Sequence, residues 1–143
     1  MSSIGFFHDH KVIISGSKIY SRGGLSPSLI QNYQKAFGNL IICTRVINAS
    51  PKDANLICGE EVSHHKFPDL LGDDFFNFPL AFKTVSDVCE KSKFVIARLP
   101  SISGLIACWY LRNSKERLIV EVTGCAYDST RLIVFSSSEK IPR

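Results

Sequence analysis

The sequence predicts an α/β domain, doubly wound around a mostly parallel sheet. Short apolar runs rich in β-branched residues are separated by stretches of helical period. The runs are continuous in apolar character rather than alternating, as strands covered on both faces require. Strand–helix alternation in this order calls for parallel strands joined by helical crossovers.

"KVIISG" (11–16) is the first expected strand, ended by glycine. The helix that follows starts at Ser26, a side-chain cap, with Pro27 in a position that needs no N–H. Leu29, Ile30, Tyr33, Ala36 and Phe37 give it one apolar face, and Gly38 closes it. "NLIICTRV" (39–46) is a second strand and "NLICGEEV" (55–62) a third, weaker one. "SHHKFPDLLGDDFFNFPL" (63–80) reads as a loop with short helical turns, and "AFKTVSDVCEKS" (81–92) as a helix. The strand "KFVIARLP" (93–100), the helix "SISGLIACWYLRNS" (101–114) and the strand "RLIVEVTG" (117–124) complete the pattern. The remainder holds one apolar run and a polar tail, and no internal repeat is present.

With 143 residues, the chain is expected to form a single domain over 1–143. A net charge of +4 permits attraction to an anionic membrane surface or a phosphorylated ligand. Basic residues are scattered without interleaved aromatics, so no nucleic-acid partner is expected. Cys43, Cys58, Cys89, Cys108 and Cys125 are spaced singly, which fits a reducing compartment rather than a zinc or disulfide framework. Neither a signal peptide nor an apolar run of about 20 residues is visible. The expected location is the cytoplasm, with attachment to the inner face of the membrane as a further option.

In doubly wound sheets ligands bind outside the carboxyl ends of the strands, which here singles out residues 16–25, 45–54, 98–104 and 121–130. "GSKIYSRGG" (16–24) matches neither a dinucleotide fingerprint nor a phosphate loop. Gly23-Gly24 is either a tight turn or a backbone surface left bare for an anion at a helix N-terminus. Arg98 ends a buried apolar run, so it either pairs with a carboxylate such as Glu121 or faces a ligand phosphate or sugar. Glu121 interrupts "LIVEVTG", where a charge needs a partner, Arg98 or Arg45, or a cleft. Asp128 suits a cap or turn. His8, His10, His64 and His65 have few acidic companions and read as loop histidines, so no metal is expected.

Taken in order, three stretches resemble the N-terminal domain of GT-B glycosyltransferases of the retaining type that builds capsules, O-antigens and exopolysaccharides. These are "YSRGGLSPSLIQNYQKAF", "FVIARLPSISGLIACWYLRNSKERLIVEV" and "EVTGCAYDS", and the likeness covers residues 11–131. The resemblance implies a Rossmann-like half of such an enzyme. It sets Arg22, Gly23 and Gly24 beside the diphosphate of a nucleotide-sugar, and Arg98, Ser101, Glu121 and Asp128 on the acceptor side of the cleft. It implies no cofactor and no metal. Members of that family carry a second domain that binds the nucleotide-sugar, and "RLIVFSSSEKIPR" has no counterpart in them. The expectation is therefore an acceptor-side domain, incomplete alone, that serves a lipid-linked or glycan acceptor. The alternative is a non-catalytic module that docks a partner subunit. A nucleotide-binding dehydrogenase domain is disfavoured by the missing fingerprint.

Overall fold

A computed structural model describes residues 3–58, 62–114 and 117–124. Along the chain run β1 (Ser3–Ser15), β2 (Lys18–Ser21), α1 (Pro27–Phe37), β3 (Asn39–Val46), a 3-10 turn at Pro51–Asp53, β4 (Asn55–Cys58), β5 (Val62–Lys66), α2 (Phe78–Lys91), β6 (Ser92–Leu99), α3 (Ile102–Tyr110) and β7 (Leu118–Val122). The described strands form one mixed seven-stranded sheet. Five of them, in the order β5-β3-β1-β6-β7, are parallel to their neighbours. Strand addition runs outward from β1 in one direction and then in the other, so the order reverses at β1.

The remaining two strands are an antiparallel ribbon that no sequence signal announced. Beyond Val12, β1 leaves its parallel neighbours, and Ile13, Ile14 and Ser15 pair antiparallel with Tyr20, Ile19 and Lys18 of β2. Strand β4 then pairs antiparallel with β2. This corrects the expected strand 11–16. The strand begins at Ser3 instead, and only Lys11 and Val12 of that stretch lie in the parallel sheet. The expected third strand 55–62 is likewise two strands, β4 on the ribbon and β5 in the parallel sheet. Residues 16–25 are accordingly a hairpin strand followed by a turn, not one loop.

Helices cover both faces. Ile30 of α1 packs with Ile4, Phe6, Leu40, Ile42 and Ile96, while Ala81, Val85, Val88, Ile106 and Ala107 of α2 and α3 pack with Phe7, Ile41, Cys43, Val95 and Ala97. The split follows from strand geometry, since successive side chains point to opposite faces. It also explains the continuous apolar runs read in the sequence. Each fully buried Val, Leu, Ile or Phe side chain contributes on the order of 1.5–3 kcal/mol through burial. Cys43, Cys58 and Cys89 belong to these cores, and burial pushes the Cys89 thiol up to about 12 and the Cys58 thiol to about 11. Such thiols are poor nucleophiles.

Candidate functional site: a polar row at the carboxyl edge of the sheet

On the α1 face, each parallel strand turns from apolar to polar as it reaches its carboxyl end. Ile4 and Phe6 give way to His8, Leu40 and Ile42 to Thr44, Phe94 and Ile96 to Arg98, and Ile119 to Glu121. The register sets Arg98 directly opposite Glu121, and Phe7, the residue before His8, opposite both Ala97 and Cys43. The four side chains thus form one row across the strands that flank the order reversal. His64 joins it from β5, with Nε2 at 2.9 Å from Thr44 Oγ1.

Glu121 is held from two sides. The Tyr33 hydroxyl of α1 donates to Glu121 Oε2, and Arg98 Nε lies 3.7 Å from the same oxygen. Burial and then that hydrogen bond push the Tyr33 hydroxyl up to about 12, so it remains a donor. Burial first, and the Arg98 charge second, push His8 down to about 4, so its ring is neutral. His64 is also pushed down to about 4 by burial. The pairing of Arg98 with Glu121 that the strands' polar interruptions allowed is present.

The opposite face of β1 is spent on structure. The Asp9 carboxylate accepts the backbone N–H groups of Ile102 at 2.6 Å and Ser103 at 3.1 Å, which fills the N-terminus of α3. Ser101 is that helix's cap: its hydroxyl accepts from the Gly104 N–H and donates to the Arg98 carbonyl. Arg45 donates through Nε and Nη2 to the Asp9 carbonyl at 2.9 and 2.7 Å, and it also meets Asp69 rather than Glu121.

Arg22, Gly23 and Gly24 form the turn between β2 and α1. Arg22 is exposed and donates to the Ser50 carbonyl at 3.3 Å. The Gly23 N–H is taken by Ser21 Oγ at 3.2 Å, and the Ser21 hydroxyl donates to the Gly23 carbonyl. His10 Nε2 sits 2.7 Å from Ser21 Oγ, and since the hydroxyl proton goes to Gly23, His10 is the donor. Its ring lies over Gly24, where a Cβ would come within 2.7 Å of Nδ1. The space above Gly24 is therefore filled by an imidazole, while a Cβ on Gly23 would meet nothing within 4 Å.

His8 and His10 are in a strand with their rings stacked at 6.3 Å, and His64 and His65 are in β5, which corrects the reading of all four as loop residues. Period-two placement after Ile4 and Phe6 was the signal that could have found His8. Among the described residues no cluster of His, Cys, Asp and Glu could hold a metal ion, and no helix is long and apolar enough to cross a membrane. Asp128 lies outside the described residues.

The chain is 29% identical over 130 residues to Protein CapJ of Staphylococcus aureus, a match that covers 87% of this chain and 32% of that protein. It thus spans about a third of the length of the relative it matches. No family model matches the chain. No solved structure matches it either.

Proposed function

We propose that this chain is the acceptor-side, Rossmann-like half of a GT-B glycosyltransferase of capsule or other cell-surface polysaccharide synthesis. The observation that carries the reading is the polar row at the carboxyl ends of the strands flanking the reversal at β1, where open α/β sheets bind ligands. The similarity to Protein CapJ supports the capsule setting. In this reading Arg98, Glu121 and the neighbouring His8 face an acceptor, lipid-linked or glycan. Ser101 acts on the site by holding the start of α3 against the Arg98 carbonyl. A donor diphosphate would meet the turn at Arg22–Gly24 from its outer side, where the Arg22 side chain and the open space at Gly23 lie. The domain's part in catalysis is positioning, and a second domain supplies the nucleotide-sugar and the charge that stabilises the leaving diphosphate.

Acceptor binding and sugar turnover, measured on one preparation of the 143-residue protein, test this reading. A lipid-linked saccharide in micelles is expected to bind saturably by ligand-observed NMR, with neither transfer nor hydrolysis of common nucleotide-sugars. Robust turnover by the chain alone, or no acceptor binding, overturns it. A second reading, a module that docks a partner subunit, is favoured by Leu71, Phe75, Phe76 and Trp109, each more than half exposed. Co-purification of a stoichiometric partner, lost when Phe75 and Phe76 are changed to serine, would favour that alternative.

A further inference from the structure

Among the described residues, the arginines are spent on the backbone, with one exception. Arg22, Arg45, Arg112 and Arg117 each donate to at least one carbonyl. Arg98 has a side chain only 15% exposed, yet its Nε and Nη1 are buried and make no hydrogen bond. His8 Nδ1, in the same row, is also buried and unpartnered. Buried donors without acceptors are costly and uncommon, and they mark places where a partner is expected. The obvious anion seats nearby are closed, because Asp9 fills the N-terminus of α3 and Ser26 caps α1.

We propose that the Arg98–Glu121 pair is the seat of a neutral vicinal diol, the kind a sugar ring presents, and not of a phosphoryl group. The inference rests on the acceptor-side reading for the source of that sugar and names its chemistry. The pair combines a fork of N–H donors with a carboxylate acceptor and carries no net charge. A diol matches it: the hydroxyl oxygens accept from the guanidinium while a hydroxyl proton goes to the carboxylate. A phosphoryl group has oxygens that accept, and it would sit against Glu121, where like charges repel. Tyr33 occupies Glu121 Oε2, which leaves Oε1 as the open acceptor. Access runs past Glu121, whose side chain is 35% exposed beside the 15% exposed Arg98.

The Arg98 Nε–Hε signal in a 1H–15N spectrum of the 143-residue protein reads this directly. Methyl glycosides of a hexose and of an N-acetylhexosamine are expected to shift it saturably, whereas inorganic phosphate at matched ionic strength leaves it in place. Glu121→Gln keeps the side-chain shape and an acceptor for Tyr33 but removes the compensating charge. That variant is expected to bind glycoside about tenfold or more weakly, and phosphate now shifts the Arg98 signal. An unchanged melting temperature verifies that the variant is folded, and Glu121→Ala, which also removes the charge, supplies a second one if it is not. The proposal is overturned if phosphate shifts the wild-type signal as readily as the glycosides do. It is equally overturned if no glycoside moves the signal, in which case water is the partner of Arg98. Binding of a lipid-linked saccharide with Arg98 unmoved would sink this inference and leave the acceptor-side reading standing.

Discussion

Gly24 has φ +76° and no room for a methyl group, because a Cβ there would come within 2.7 Å of His10 Nδ1. Gly24→Ala should therefore cost about 1–3 kcal/mol of stability from backbone strain alone. It should also push the His10 ring off Ser21. His10 titrates below the usual histidine value because of burial first, and the Arg45 and Arg98 charges second, so displacing the ring into water moves its titration back up. Gly23→Ala is the control. Its φ of +148° brings strain, but its Cβ is free of the ring, so His10 should titrate as in the wild type. Urea unfolding and the imidazole NMR signals of the two variants test this; an unmoved His10 in Gly24→Ala would remove the ring from the account of this glycine. Of the two readings that the bare sequence left for Gly23-Gly24, the geometry adds a third, a glycine that makes room for a histidine. That contact joins a residue of β1 to the turn after β2, so no local pattern could have carried it. The Arg98–Glu121 pair was legible because each residue breaks an apolar run where a charge needs company. His8 and His10 were not, because H-x-H was weighed as a metal spacing rather than as the inward positions of a strand.

At the scale of elements, the start of α3 depends on a residue from another element. Asp9, on β1, accepts two N–H groups there in addition to the local cap from Ser101. Asp9→Ala should cost about 1–2 kcal/mol, the scale of a lost N-terminal cap, and Asp9→Asn less because an amide oxygen still accepts. Chemical denaturation with intact far-UV circular dichroism would measure it. A loss as small as that of an exposed surface substitution would mean that Ser101 suffices. Local caps were readable: Ser26 with Pro27 announced α1, and its hydroxyl does accept the Leu29 N–H at 3.2 Å. The start of β1 was not readable, since "GFFHDH" ends in polar residues that only a site at the strand's carboxyl end explains. The ribbon of β2 and β4 was hidden for a different reason, because four-residue strands are too short to show a period.

Across the whole molecule, the polar row links stability to pH. His8 and His64 are both pushed down to about 4, chiefly by burial, while the unfolded chain takes up these protons near 6.5. Between those values the unfolded state binds more protons, so stability rises with pH. The contribution is full above about pH 6.5 and is lost as pH falls toward 4. The melting temperature should be flat above neutrality and drop by several degrees across that window. Replacing both residues, His8→Gln with His64→Gln, should flatten the slope; a double variant as acid-sensitive as the wild type would place the cause elsewhere. The expected parallel strands around 39–46, 93–98 and 117–123 are present as β3, β6 and β7, since buried runs bounded by helices leave few alternatives. The polar row itself is a property of the assembled sheet. It exists only once the five parallel strands stand side by side.

Strand β1 serves three structures at once. His8 belongs to the polar row, Asp9 holds α3 on the other face, and Ile13–Ser15 carry the ribbon that supports the glycine turn. Because neighbouring strand residues face opposite ways, deleting one residue between His8 and Val12 would move every later side chain to the wrong side. Substitutions in this stretch cost one contact each, but a change of length would take the row, the helix start and the ribbon out of step together. Strand β1 is thus the ruler against which the row, the helix start and the ribbon are all measured.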